Sequence, residues 1–286
     1  MNRFASIFVL LLIGAAPAEK SAGFQGLGPL LGQAPSIPPP PYKLKWTYKA
    51  DEAGRVGIVG SPAIADGIVY IADTKGILHA VDLQSGKFKW KYPTENGFET
   101  TPLVAGNRIF LGDLGGIFHC VSTDGKKLWT IDAQSPIHSS ANFFNDKVIF
   151  GTDRGHVVAI SSDGKKTLWT YDKIEGDALV QSTPAVADNI AVIGAHDRNV
   201  HAIDTTNGEQ KWTFKTRGDV DAPAIISAGR VYVGSRDKHF YVLDLKTGQK
   251  LWEFTASRAV EAGAAISNNL LLFPDSAGNL YCFEPM

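Results

Sequence analysis

Five polar side chains recur at one place in a repeated pattern, and together they could bind a cation or a small polar molecule. Each lies two or three residues before a slot that holds proline in four repeats and alanine in two. Carboxylate, imidazole and amide groups that converge on one opening suit such a ligand. A hydrated channel lined by polar groups would use the same residue types, so both interpretations stay open. The five residues are Glu99, His138, Gln181, Asp221 and Glu261.

A second set of candidates is positively charged and falls in turns of the same pattern. Lysine and arginine side chains in separate repeats would form a basic rim on one face, with His196 among them. Such a rim could attract an acidic surface of a partner protein. Turn residues that only keep the protein soluble are the alternative. The five basic residues are Lys75, Arg154, Arg198, Arg236 and Lys238.

The sequence contains no motif for covalent catalysis, and we expect neither a catalytic residue nor a set of metal ligands. It has no phosphate-binding glycine loop, no Cys-x-x-Cys pair and no His-Glu-x-x-His. Three of the seven histidines share one strand position, which favours a structural role: His79, His119 and His201. The formal net charge of −1 leaves no basic excess for phosphate groups, so we expect no nucleic-acid partner.

An internal repeat must position these residues. Six twelve-residue segments open apolar, pass a turn and return to an alternating apolar run, as expected of a β-hairpin. A short apolar strand precedes each hairpin at the proline or alanine slot, and a tryptophan strand follows most hairpins. Four strands in about 40 residues are typical of a propeller blade. The tryptophans are spaced by 44, 39, 40, 43 and 40 residues: Trp46, Trp90, Trp129, Trp169, Trp212 and Trp252.

The repeats therefore predict an all-β fold, a six-bladed β-propeller of four-stranded blades over residues 42–286. The last hairpin has no tryptophan strand after it, and residues 43–48, from Lys43 to Tyr48, form a tryptophan strand with no hairpin before it. We predict that this N-terminal strand completes the last blade and closes the ring, because an open ring leaves unpaired strand edges. The tryptophan rings would pack in the wedges between blades.

The segment from Ala80 to Trp90 resembles the repeat motif of PQQ-like (pyrroloquinoline quinone) propellers, A-x-D-x-x-T-G-x-x-x-W. The segments that end at Trp212 and Trp252 resemble it too, whereas Ser122 and Ser161 replace the aspartate in two repeats. That family includes quinoprotein dehydrogenases, with eight blades that hold PQQ and calcium. It also includes BamB-like proteins, which are periplasmic scaffolds that bind partner proteins through loops.

The resemblance and the missing catalytic motifs together favour a non-catalytic scaffold that binds a protein or peptide partner. We expect a monomer that binds no cofactor, and we do not expect it to bind PQQ with calcium. The alternatives are a quinone- or metal-dependent oxidoreductase and a small-ligand sensor, both of which would use the axial mouth where the five polar residues converge.

The first residues predict export. Arg3 precedes an apolar stretch over residues 5–16, and Ala16-Pro17-Ala18 gives the small-x-small pattern of a signal peptide that ends at residue 18. No cysteine follows the apolar stretch to carry a lipid, so we expect a periplasmic or secreted protein without a membrane span after cleavage. Residues 19–41 are rich in glycine and proline, which predicts a linker.

The two cysteines occupy one strand position in repeats that are not neighbours. Cys120 belongs to the second repeat and Cys282 to the sixth. Equivalent sites two blades apart lie beyond the Cα separation of about 7 Å that a disulfide tolerates. We therefore predict two buried thiols without a disulfide.

Overall fold

The computed structural model describes residues 21–23, 26–27, 41 and 43–285, except Glu52 and Asn268. These residues form 25 strands and one short 3₁₀ helix, Glu175–Asp177, so the predicted all-β class is confirmed. No helix among them is long and apolar enough to cross a membrane. The predicted signal peptide lies outside the described residues.

Two short strands fall within the segment predicted to be a linker. They are β1 (Ser21–Gly23) and β2 (Gly26–Leu27), and they pair with each other as an antiparallel hairpin. β1 also pairs with β7 (Leu103–Ala105), the first strand of a four-stranded sheet formed by residues 103–132, where Ser21 lies opposite Ala105. The described part of the linker therefore adds two strands to that sheet.

The remaining strands form six antiparallel sheets in chain order. Each sheet runs from a short inner strand to a longer outer strand, and we number the sheets along the chain. Sheet 1 contains β3 (Ala63–Ala65), β4 (Ile68–Ala72), β5 (Ile77–Asp82) and β6 (Phe88–Pro93). Sheet 2 contains β7 (Leu103–Ala105), β8 (Arg108–Gly112), β9 (Ile117–Ser122) and β10 (Lys127–Asp132). Sheet 3 contains β11 (Asn142–Phe144), β12 (Lys147–Gly151), β13 (Val157–Ser161) and β14 (Thr167–Tyr171).

The last three sheets repeat this order, but the sixth has only three strands. Sheet 4 contains β15 (Ala185–Ala187), β16 (Ile190–Gly194), β17 (Asn199–Asp204) and β18 (Gln210–Lys215). Sheet 5 contains β19 (Ile225–Ser227), β20 (Arg230–Gly234), β21 (His239–Asp244) and β22 (Lys250–Thr255). Sheet 6 contains β23 (Ala265–Ser267), β24 (Leu270–Pro274) and β25 (Leu280–Phe283).

In sheets 2 to 5 the middle strands are largely buried on both faces, because each of these sheets packs between two neighbours. All five residues of β16 are buried, for example. Aromatic rings stack across the junctions, with ring centroids 4.1 Å apart for Phe118 and Phe150 and 3.9 Å apart for Phe240 and Phe273. Continuous apolar runs in strands covered on both faces follow from this arrangement.

Each tryptophan of sheets 1 to 5 lies in an outer strand and reaches toward the following sheet. Trp212 shows the contact: its Nε1 donates to the carbonyl of Leu245 at 2.9 Å, under the turn that holds Gly248. The same bond, at 3.0 to 3.1 Å, joins Trp90 to Thr123 and Trp169 to Thr205. In these three junctions the indole fills the space between the sheets and satisfies its single donor.

The junction between sheet 6 and sheet 1 lacks the pairing that the sequence predicts. Residues 43–48 are not assigned as a strand, and the described partner of β25 is β24 alone. Trp46 nevertheless lies on sheet 1, where its Nε1 donates to the carbonyl of Leu83 at 3.0 Å. Leu280 is 67% exposed although its equivalents in the other five sheets are fully buried: Leu78, Phe118, Val157, Val200 and Phe240. Closure of the ring therefore stays a prediction.

The prediction that the two cysteines form no disulfide is confirmed, but the prediction that both thiols are buried is wrong for Cys282. Both cysteines are free, and Cys120 is buried. Cys282 is exposed because it lies on the face of β25 that no other sheet covers. Burial raises the pKa of the Cys120 thiol to about 12, so this thiol is inert at neutral pH.

Candidate functional site: a charged face around the axial mouth

Two kinds of connection lie together on one side of the molecule, which we call the upper face. They are the turns between the second and third strands of each sheet and the segments that lead from one sheet to the next. Backbone hydrogen bonds join them: Phe98 N donates to Asp73 O at 2.9 Å, and Val220 N donates to Ala195 O at 3.2 Å. Both predicted sets of site residues belong to these connections and therefore share the upper face. We keep the name mouth for the positions of the five polar residues and the name rim for the basic residues of the turns.

Glu99 and His138 lie together at the mouth, at the junction of sheets 2 and 3. His138 Nε2 is 3.7 Å from Glu99 Oε2, and its Nδ1 is 2.8 Å from Asp153 Oδ2. Asp153 Oδ1 is buried without a hydrogen-bond partner among the described residues. Asp153 precedes Arg154 in the turn of sheet 3, and the predicted set of site residues did not include it.

Asp221 and Glu261 are linked through Arg236, across the junctions of sheets 4, 5 and 6. His196 Nε2 is 2.5 Å from Asp221 Oδ1, and Arg236 Nε is 2.5 Å from Asp221 Oδ2 and 2.9 Å from Glu261 Oε1. The N–H of Arg236 is not aligned with Asp221 Oδ2, so that contact is an ion pair without a hydrogen bond. Arg236 therefore belongs to the mouth, whereas the sequence assigned it to the rim.

Gln181 stands apart from both clusters. It is half-buried and has no hydrogen bond within the described part of the chain. The serines that directly follow His138 and Gln181 bond to the next sheet. Ser139 Oγ donates to Ser182 O at 2.7 Å, and Ser182 Oγ donates to Ala222 O at 3.2 Å. The five predicted residues thus form two linked clusters and one isolated amide.

The rim differs from the mouth because most of its cations are unpaired. Arg154, Arg198 and Lys238 are exposed, and no carboxylate pairs with them among residues 43–285 that the structure describes. Lys75 is 3.8 Å from Asp51 across an exposed surface, which is a weak ion pair. Three free cations on the successive sheets 3, 4 and 5 give this part of the upper face a positive rim.

The carboxylates of the mouth do not gather into one ligand set. No group of three or more histidine, cysteine, aspartate or glutamate residues in the described part of the chain is arranged to hold a metal ion. Calcium takes six to eight oxygen ligands, whereas Glu99 and Asp221 each lie beside a histidine in separate clusters. These residues do not fit a bound calcium ion.

Consecutive four-stranded antiparallel sheets with tryptophan junctions and a charged face define a propeller-like repeat protein. The family model described as outer membrane protein assembly factor BamB matches residues 43–172 and 153–286. The chain therefore belongs to this PQQ-like repeat family, as the repeat motif predicted.

Relatives of two kinds share the repeat. A quinohemoprotein alcohol dehydrogenase of Comamonas testosteroni is 34% identical over 63% of this chain and 23% of its own length. An outer membrane protein assembly factor BamB of Burkholderia pseudomallei is 26% identical over 58% of this chain and 44% of its own length. The chain thus spans less than half the length of these curated relatives.

Solved structures agree on the fold. BamB from Moraxella catarrhalis superposes with a TM-score of 0.67 at 18% identity, over 79% of this chain and 71% of that one. At this identity the likeness supports the arrangement of sheets and carries no information on the ligand.

Proposed function

We propose that this protein is an exported, non-catalytic scaffold that binds a protein or peptide partner through its upper face. The observation that carries the proposal is the row of unpaired cations, Arg154, Arg198 and Lys238, on three successive sheets. Membership of the BamB family supports it, because that family is described as an assembly factor. The expected partner surface is acidic, since unpaired cations on a rim steer and orient an opposite charge.

Reversal of the three free rim charges should abolish capture of the partner. We expect mature protein from residue 19 onward to retain a specific partner from an envelope extract at low salt. The variant Arg154→Glu, Arg198→Glu, Lys238→Glu should lose it, and added salt should weaken the wild-type interaction, because exposed charges are screened. Arg236 is left intact because its removal would leave Asp221 and Glu261 unneutralised.

A matched control reverses three exposed lysines on the opposite face, in turns between third and fourth strands. The variant Lys87→Glu, Lys166→Glu, Lys246→Glu has the same net charge change but leaves the upper face unaltered. It should retain the partner. Equal loss in both variants would show that overall charge, and not the rim, governs the interaction.

An oxidoreductase is the second candidate, because one relative at 34% identity is a quinohemoprotein alcohol dehydrogenase. The mouth does not supply the oxygen ligands that calcium requires. Titration with pyrroloquinoline quinone and calcium distinguishes the two functions. A stoichiometric chromophore would favour the oxidoreductase over the scaffold.

The scaffold would be a closed ring of six four-stranded sheets, with residues 43–48 pairing with β25. Exposed apolar side chains on sheet 6 and on sheet 1 support this proposal. Leu280 of sheet 6 and Ile58 of sheet 1 are 67% and 43% exposed, whereas their equivalents in the other sheets are buried. Covering a leucine or isoleucine side chain stabilises a protein by about 1.5–3 kcal/mol. Trp46 already takes the same position on sheet 1 that Trp90 takes on sheet 2.

The reactivity of Cys282 reports on closure. In a closed ring Cys282 lies opposite Trp46, as Cys120 lies opposite Trp129 in sheet 2. In a Cys120→Ser background we expect slow reaction of the folded protein with a maleimide and much faster reaction of the Trp46→Ala variant. Urea-unfolded protein gives the limiting rate. A folded wild type that reacts as fast as unfolded protein would show that the sixth junction stays open.

A further inference from the structure

Five exposed cations form a continuous row on the outer part of the upper face, and we call this row the basic arc. None of its members has an ion-pair partner in the part of the chain that the structure describes. Two members belong to the rim, and the other three lie in or beside the segments that lead to the next sheet. The five residues are Arg198, Lys215, Arg217, Lys238 and Arg258.

Backbone hydrogen bonds bring the members on sheet 4 together. Thr216 N, in the segment that leads to sheet 5, donates to Arg198 O at 2.8 Å. Thr216 is flanked in the sequence by Lys215 and Arg217. Lys215 is also the last residue of β18 and lies opposite Asn199, which directly follows Arg198. Three cations therefore meet at the outer edge of sheet 4.

The remaining members continue the row across sheet 5. Arg217 N donates to Asp237 Oδ2 at 2.9 Å, and Asp237 directly precedes Lys238. Ala256 N in turn donates to Lys238 O at 2.8 Å, and Arg258 follows two residues later. The arc is therefore one surface that runs from sheet 4 across sheet 5 to the segment that leads to sheet 6.

The arc belongs to one side of the upper face. The positions of Arg198 and Lys238 hold glycine in the other four sheets. The position of Arg217 is acidic in two other segments, with Glu95 before sheet 2 and Glu175 before sheet 4. An acidic ligand would thus be attracted to sheets 4 and 5 and not to the opposite side of the face.

Two members of the arc occupy a backbone conformation that favours glycine. Arg198 has a φ of 66° and Lys238 a φ of 74°, both in the left-handed region. Neither side chain makes a hydrogen bond or an ion pair with the described residues that would offset this strain. Strain of this kind is typical of functional sites, and a ligand that pairs with the two cations would offset it.

We propose that the basic arc binds an extended acidic segment of the protein partner, whose carboxylates pair with the successive cations. This inference rests on the scaffold function proposed above and narrows its interface to sheets 4, 5 and 6. Three members are arginines, whose forked guanidinium group binds carboxylates in a bidentate geometry. None of the large apolar side chains exposed on the described residues belongs to the arc, so an acidic segment fits it better than a lipid surface does.

Fluorescence anisotropy with a labelled decaglutamate peptide tests the arc in the mature protein at physiological salt. The wild type should bind the peptide in a saturable manner. Reversal of three arc charges should weaken binding about tenfold or more, because each glutamate repels the peptide. The opposite-face variant described above has the same net charge change and should bind like the wild type. The arc variant is Lys215→Glu, Arg217→Glu, Arg258→Glu.

Two results would refute the proposed ligand. Equal binding of the peptide by the wild type and the arc variant would show that the arc does not recognise carboxylates. Vesicles of phosphatidylglycerol that bind the wild type but not the arc variant, without any binding of the peptide, would assign the arc to a lipid surface.

A second variant separates binding from folding. Arg198→Gly, Lys238→Gly should weaken peptide binding without lowering the midpoint of thermal unfolding, because the left-handed backbone at both positions favours glycine. Weaker binding that came with a lower midpoint would mean that the two cations support the fold, and it would contradict the proposal.

Capture from the envelope extract distinguishes failure of the arc from failure of the scaffold. Loss of the partner in both the rim variant and the arc variant, with retention in the opposite-face variant, supports the arc. If only the rim variant loses the partner, the scaffold stands and the arc is refuted. If the wild type captures no partner, the scaffold fails and the inference fails with it, even where the peptide binds.

Discussion

Replacement of Trp169 by alanine should lower the free energy of unfolding by about 3–5 kcal/mol, the usual cost of removing a buried tryptophan side chain. Trp169 is 7% exposed, and its Nε1 donates to Thr205 O at 3.0 Å. A Cβ added to Gly208 would lie 2.7 Å from the Trp169 side chain, so the turn is moulded around it. The substitution would leave a void between sheets 3 and 4 and an unpaired carbonyl.

The neighbouring residue supplies the control. Leu168 lies in the same strand, β14, but is 40% exposed on the outer surface. Leu168→Ala should change the free energy of unfolding by only about 0.5 kcal/mol, as most surface substitutions do. Urea denaturation followed by circular dichroism measures both variants. Similar losses for the two would mean that the tryptophan junctions do not hold the sheets together.

The strand pattern could be predicted because one repeat is written into the sequence six times. Trp90, Trp169 and Trp212 mark outer strands, and the turn glycines such as Gly248 mark the hairpins that cover them. Within each sheet the pairing strands are close in sequence, so local patterns specify them. The proposed pairing between residues 43–48 and β25 would join distant parts of the chain, and no local pattern specifies such a contact.

The candidate site was predicted less completely because its side chains pair across sheets. Counting from the proline slot aligns Val220 with Glu99, but the backbone bond from Val220 N to Ala195 O makes Asp221 the true equivalent. The segment before Pro223 is one residue shorter than its counterparts, which hid the alignment. The pairing of Arg236 with Asp221 depends on the spacing between sheets, which the charge pattern does not contain.

Besides the Trp169 contact, a buried hydrogen-bonded group of three side chains joins sheets 3 and 4. His201 Nε2 is 3.0 Å from Asp197 Oδ2, and His201 Nδ1 is 2.9 Å from the hydroxyl of Tyr171 in the preceding sheet. The Asp197 and His201 side chains are each only 2% exposed. The equivalent His119 bonds to Asp113 and Tyr92 in the same way, so the shared strand position of these histidines is structural.

Removal of the Asp197 carboxylate should destabilise the protein strongly, because a buried partner is then left without its acceptor. We expect Asp197→Ala to lower the free energy of unfolding at pH 7 by about 3–5 kcal/mol. Asp163→Ala, in an exposed turn of sheet 3, is the control and should have little effect. Asp197→Asn should recover part of the loss, because its amide oxygen can still accept the N–H of His201.

The pH dependence gives the second test of this link. Burial opposes ionisation of Asp197, but the hydrogen bond and charge of His201 and the bonds from Asn199 outweigh it, so the pKa of Asp197 is lowered. A carboxyl with a lowered pKa in the folded state adds stability above its unfolded pKa of about 3.9 and loses it as the pH falls. The difference between wild type and Asp197→Ala should therefore stay constant near neutral pH and shrink below about pH 4. A difference that stays unchanged into acid would show that the aspartate acts by filling space and not by its charge.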